Sequence, residues 1–171
     1  MYLSIEEPTK KISKEAVKVW RLSNTIGHGI GILILGALLF VDFYFDWKFW
    51  IGWILIGVTG LTALSAMYSI FIEPFYLQKT WRYEVDTEHV QLKHGRIEQK
   101  HIIIPMSKIE FVSTHQGPLL RKYGLYNLGI GTVTSSHTIP AIPTEEALEL
   151  RAKIARLAKV KDMDDVAGEE Q

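Results

Sequence analysis

The sequence predicts a membrane-embedded α-helical hairpin followed by an all-β domain closed by one C-terminal α-helix. Three observations predict it. Between Thr25 and Ile72 the only charged residues are Asp42, Asp46 and Lys48, whereas charges crowd both flanks. Beyond Pro74 the apolar pattern changes from continuous to alternating, the signature of half-buried strands. From Thr144 onward apolar residues recur at three- and four-residue steps, as on one face of a helix.

Residues 25–41 carry His28 as their only ionisable group, and Phe43, Tyr44 and Phe45 prolong the apolar character past Asp42. Residues 49–72 form a second run with no charge. At about 1.5 Å per residue the second run crosses a hydrocarbon core of about 30 Å, and the first sits at the lower limit for a span. A cleaved leader is not expected, because no small-residue cleavage site follows Val41 and a second apolar run comes at once. Lys10, Lys11, Lys14, Lys18 and Arg21 precede the hairpin, and Lys48 alone lies in its turn. This cation bias predicts a multi-pass protein of the cell membrane with both termini in the cytoplasm.

Gly27 and Gly31 form a GxxxG pair on the first helix, and Gly60, Ala63 and Ala66 make a small-residue row on the second. Small residues let helix backbones approach closely, either within one hairpin or between subunits. His28 lies about one turn inside its segment and reads first as an interfacial imidazole. Tyr44, Trp47 and Trp50 are expected at the outer interface, with Trp20, Tyr76 and Trp81 near the inner one.

Glu73 and Pro74 are expected to stop the second helix. In the domain that follows, Trp81, Tyr83 and Val85 share one parity, and Val90 and Leu92 repeat the pattern. His94-Gly95 reads as a tight turn into a strand over 96–104, ended by Pro105. Further strands are expected over 109–114, 125–134 and 138–142, a spacing that suits a sandwich or small barrel. Thr144 reads as the N-cap of a helix whose apolar face is Ala147, Leu150, Ile154 and Leu157. The organisation is then an N-terminal segment over 1–23, a hairpin over 24–73, a β domain over 74–160 and an acidic disordered tail over 161–171.

Trp81-Arg82-Tyr83, the strand end Ile103-Ile104-Pro105 and the run Gln116-Gly117-Pro118-Leu119-Leu120-Arg121-Lys122-Tyr123-Gly124-Leu125 sharpen this reading. They resemble the YdbS-like family of bacterial membrane proteins, which carry a bacterial pleckstrin-homology (PH)-like domain. The resemblance covers nearly the whole chain and implies an all-β PH-like barrel closed by its C-terminal helix. It also implies a membrane-tethered, non-enzymatic module that works with a related PH-domain membrane protein. One departure is the strand Gly129-Ile130-Gly131-Thr132, whose glycines are expected to loosen the strand or admit a close backbone neighbour. Physically, Gly117-Pro118 turns the chain, 119–123 can form one helical turn, and Gly124 suits the left-handed position that ends it. Gln116 to Tyr123 are also the candidate lipid- or partner-binding residues, since Arg121 and Lys122 beside Leu119 and Leu120 make a basic-apolar tip.

Composition narrows the chemistry. Lys plus Arg and Asp plus Glu number 19 each, so no basic field exists to hold nucleic acid. There is no cysteine, and the histidines are scattered singly without the spacing of a metal site. No dinucleotide loop, P-loop or nucleophile elbow is present. No enzyme activity, cofactor or metal is therefore expected. The expected role is a scaffold or binding module on the bilayer, as a homo- or hetero-oligomer. The alternatives are a subunit of a transport or channel assembly, for which only His28, Thr59, Thr62, Ser65 and Ser69 offer polar groups, and direct binding of anionic lipid by the domain.

Overall fold

The computed structural model describes residues 7–95 and 98–169, with side chains through Ala158. The chain divides into two units: residues 17–75, and a unit made from the stretch ending at Ala16 together with residues from Tyr76 onward.

The hairpin unit holds α1 (Ala16–Phe45) and α2 (Phe49–Phe71). At 30 and 23 residues they extend about 45 and 35 Å, each longer than a hydrocarbon core. The first helix thus begins well before Thr25 and is no marginal span. Large apolar side chains of both helices face outward: Leu33 is 74%, Phe43 85% and Leu61 74% exposed, a surface suited to lipid or to a packed partner helix. The turn between the helices uses Asp46 at φ 50°, a left-handed conformation that a short polar side chain tolerates. At the other end Asn24 Nδ2 donates to the Ser69 carbonyl at 2.8 Å, and the Arg21 guanidinium lies 5.3 Å from the Phe71 ring centre.

The second helix ends at Phe71, where Glu73 and Pro74 were expected to stop it, and these two residues open a further helix. The break falls at Ile72, and α3 (Glu73–Thr80) starts at once, because proline in a first helical turn costs no internal hydrogen bond.

The other unit holds two antiparallel sheets. β1 (Lys10–Lys11), β2 (Arg82–Val85), β3 (His89–His94) and β4 (Lys100–Pro105) form one in that order. β5 (Ile109–His115), β6 (Leu125–Thr132) and β7 (Ser136–Pro143) form the other. Among the described residues no ladder joins the two sheets. The strand expected over 96–104 begins at Lys100. Gly95, at φ 123°, turns the chain out of β3, and Arg96 and Ile97 lie outside the described residues.

β1 corrects the expected organisation. The segment over 1–23, expected to lie outside the β domain, supplies its first strand: Lys10 pairs with Tyr83 and Lys11 with Arg82, Ile12 is 2% exposed, and Ser13 N–H donates to the Ala141 carbonyl. The domain is therefore discontinuous in sequence, with the hairpin inserted after its first strand.

Tyr83, Val90 and Leu92 are buried as their alternation predicts, and residues of both sheets complete the core. Tyr83, Val90, Leu92 and Ile104 from the first sheet, and Leu128, Ile130, Ile139 and Ile142 from the second, are at most 4% exposed. α5 (Thr144–Glu169) buries Ala147, Leu150, Ile154 and Ala158 and packs along β5, β6 and β7. Thr144 does not cap it: its Oγ1 donates to the Gly124 carbonyl at 2.9 Å, and Thr144 is already helical. The helix runs on to Glu169, so residues 161–169 of the tail expected to be disordered continue α5, with no proline to interrupt them. Glu170 and Gln171 lie outside the described residues.

Two irregularities shape the second sheet. The register shifts between Tyr126 and Leu128, opposite Ala141 at φ 52°, and Asn127 Oδ1 accepts the Ala141 N–H at 2.9 Å. Gly131 pairs with Phe111, whose ring occupies the space a side chain at 131 would need. The close neighbour at Gly131 is therefore a side-chain ring and not the backbone that the sequence suggested.

Candidate functional site

The run 116–124 is built into the fold at both ends. Gly117 precedes α4 (Pro118–Lys122), with proline at a position where its missing N–H is harmless. Gly124 takes φ 63° and donates to the Arg121 carbonyl at 3.2 Å, closing the helix in the left-handed conformation that suits glycine. Gln116 Nε2 reaches across the run to the Leu125 carbonyl at 3.0 Å, and Thr144 N–H and Oγ1 both donate to the Gly124 carbonyl. Gln116 is thus a clasp for the turn, a role that needs the folded run and is invisible in spacing. Arg121 and Lys122 are exposed in the last helical turn, and Leu119, Leu120 and Tyr123 are half-buried. The tip presents two cations over a partly apolar base.

The small residues of the hairpin behave differently from a packed seam. Gly27, Gly31 and Gly60 have no atom within 4 Å of where a side chain would begin, and Ala63 is exposed. Only Ala66, at 8% exposure, is buried. The hairpin does not close on itself through these positions. His28 lines a groove of about 600 Å3 with Gly57, Leu61, Thr62 and Ser65. Thr59 and Thr62 donate to the Leu55 and Val58 carbonyls of their own helix, so neither hydroxyl is free to donate into a water path.

Two further clusters join residues far apart in the chain. His89 and His101, read as isolated, meet through Gln91, whose amide lies 3.0 Å from each imidazole Nε2. Gln91 is 5% exposed, and one amide presents an oxygen to one ring and an N–H to the other, so the two histidines take opposite roles toward it. Near the junction of α3 and β2, Lys79, Arg82, Lys93 and His94 line a cleft of about 260 Å3. Trp81, expected at the membrane interface, stacks on His94 with centroids 4.5 Å apart. Burial, then the Lys100 and His137 charges, push the His94 imidazole below its usual range. Among the described residues no three histidine or carboxylate side chains gather as a metal site.

Residues 30–158 match the bacterial PH domain family. The chain belongs to that family. This bacterial PH domain protein is 40% identical to the UPF0699 transmembrane protein YdbS of Bacillus subtilis (strain 168), over 160 residues that cover 93% of this chain and 98% of the relative. No solved structure matches it. The two outward-apolar helices and the relative agree that the bacterial PH domain protein is a transmembrane protein.

Proposed function

We propose that this protein is a non-catalytic binding module or scaffold, held by its hairpin at the inner face of the cell membrane with both termini in the cytoplasm. The observation that carries this reading is the pairing of Lys10 with Tyr83 across the inserted hairpin. A strand before the hairpin and a strand after it belong to one sheet, which supports both ends of the hairpin emerging on the same side of a bilayer. The cations before α1, against Lys48 alone in the turn, favour the cytoplasm for that side. The domain gathers a protein partner there: another copy, or a related PH-domain membrane protein.

Gly27, Gly31 and Gly60 support association, because one hairpin leaves the space before them open and another helix fits there. The channel reading is weaker, since Thr59 and Thr62 turn their hydroxyls back onto their own helix. The natural chain has no cysteine, so single cysteines at Ser13 and Asp46 can be labelled in intact cells. An impermeant reagent should reach only the Asp46 position; labelling at Ser13 overturns the orientation. Extraction in mild detergent should recover a stoichiometric complex, and a solitary monomer argues against the scaffold.

A further inference from the structure

β4 is the last strand of its sheet, and the ladder geometry shows which of its backbone groups face away from β3. Met106 N–H donates to the Glu88 carbonyl at 2.9 Å, one step beyond the pairing of His89 with Pro105. Bonded pairs alternate along an antiparallel ladder, so Ile104 bonds Val90 and Ile102 bonds Leu92. The other side of β3 agrees: Asp86 N–H donates to the His89 carbonyl at 3.0 Å, which commits His89 and Gln91 to β2 and leaves Val90 and Leu92 for β4. His101, Ile103 and Pro105 therefore turn their backbone groups outward. Proline fits that parity, since a missing N–H costs the ladder nothing on its free side. Among the described residues no hydrogen bond reaches the backbone of His101 or Ile103 from that side.

A groove of about 370 Å3 lies along this edge, between β4 and the turn that joins β6 to β7. The turn is held by its own bonds: Thr132 N–H donates to the Ser135 carbonyl at 2.8 Å, and Ser135 N–H to Thr132 Oγ1 at 3.1 Å. At its tip stands Val133, 76% exposed, where turns ordinarily place glycine, asparagine, aspartate or serine. Val133 and the half-buried Ile103 make the lining apolar. No carboxylate lines the groove, Lys108 does, and Lys100 opens β4. Both lysines are exposed, and among the described residues neither forms an ion pair. An occupant must therefore be extended, to match a free strand edge, and must bring negative charge. A second copy joined through the same edge fits less well, because it brings the same lysines and Pro105 has no N–H to give.

We propose that the outer edge of β4 docks an extended segment of a partner protein, apolar at alternate positions and flanked by Asp or Glu, which adds to the first sheet as a further strand. The backbone groups of His101 and Ile103 bond the segment, and this supplies affinity that is independent of its sequence. Ile103 and Val133 receive its apolar side chains, and Lys100 and Lys108 receive its carboxylates. The site rests on the binding role proposed above and gives that role a surface, one that shares no residue with the run 116–124.

Fluorescence polarisation of the full-length protein in non-ionic detergent tests this. The probe is a dye-labelled peptide, Glu-Asp-Val-Thr-Val-Thr-Val-Asp-Glu, beside a second in which lysines replace the four acids. The acidic peptide should bind more tightly. Methylating the amide nitrogens of one parity should abolish its binding, and methylating the other parity should not, because only alternate N–H groups of an added strand face β4. Lys100→Glu combined with Lys108→Glu should weaken the acidic peptide by about tenfold, as expected for turning two exposed attractions into repulsions. The same variant should strengthen the lysine peptide, a gain that misfolding cannot mimic. No binding of the acidic peptide, equal loss from both methylation patterns, or wild-type binding by the charge-reversed variant overturns the proposal. A dimer that the charge reversal disperses and the peptide does not assigns the edge to a second copy and overturns it as well. A stoichiometric complex from membranes that survives the charge reversal overturns this site and leaves the binding role standing, whereas a solitary monomer that binds the peptide supports the site and argues against the scaffold.

Discussion

Lys10 and Tyr83 face each other in an antiparallel ladder although the whole membrane hairpin lies between them in the chain. The pairing makes the segment before α1 part of the domain core, and Ile12, at 2% exposure, is its anchor. Around it Gln78 Nε2 donates to the Ile12 carbonyl at 3.3 Å, and Lys10 Nζ meets Glu146 Oε1 at 3.1 Å. The anchoring is apolar more than ionic, since an exposed ion pair contributes little in water.

Ile12→Ala should therefore destabilise the domain by about 2–5 kcal/mol, the usual cost of emptying a buried isoleucine site. Lys10→Ala should change stability by less than about 1 kcal/mol. Chemical unfolding in detergent, followed by near-ultraviolet circular dichroism, measures both. A neutral Ile12→Ala would mean that the domain is complete from β2 onward.

The Asn127 side chain gives a second prediction. Its Oδ1 accepts the Ala141 N–H at 2.9 Å where the β6–β7 register shifts, and Ala141 is 1% exposed in a left-handed conformation. Asn127→Ala leaves that N–H without a partner in the interior and should cost about 1–3 kcal/mol. Hydrogen exchange at Ala141 should accelerate in the variant, while exchange in β3 stays unchanged.

What was legible in the sequence follows the physics that writes it there. Two uncharged runs declare a hairpin because peptide groups in lipid must bond within their own segment. Tyr83, Val90 and Leu92 declare strands because alternation sets them on one face. β1 declared nothing: two exposed lysines have no alternation, and the anchor Ile12 is one residue whose neighbours in space come from the other side of the hairpin. The halt before Pro74 was legible but the helix that starts there was not, since proline both ends helices and starts them. Of the candidate tip, the turn, the helical segment and Gly124 were readable from residue types, whereas the Gln116 clasp was not. The cationic cleft was hidden for the same reason as β1, because only the register sets Arg82 opposite Lys93.

His94 makes the stability of the domain depend on pH. Burial, with Lys100 and His137 nearby, favours its neutral form in the fold, and its ordinary value is 6.5. The unfolded chain then binds the proton more readily than the folded one, so stability rises with pH across this range. The contribution is complete above about 6.5 and is lost as pH falls below it. Replacing His94 with Phe keeps a ring against Trp81 and removes the proton. The difference in Tm between wild type and variant should change between pH 7.5 and 5.5, with the wild type losing more. A constant difference would remove His94 as the cause.

The tip at 116–124 allows its two roles to be separated by choice of residue. Gln116→Ala removes the donor to the Leu125 carbonyl and should cost about 1 kcal/mol. Gly124→Ala places a Cβ in a left-handed conformation at φ 63° and should cost about 1–2 kcal/mol. Arg121→Gln with Lys122→Gln touches only exposed side chains and should stay within about 0.5 kcal/mol of wild type. If the tip serves recognition, this last variant, although the most stable of the three, should be the one that fails to recover a partner from membranes. If the run serves only shape, partner recovery should follow stability instead, falling with Gln116→Ala and Gly124→Ala and persisting without the two cations. Unfolding and co-purification measured on the same three preparations decide between these orders.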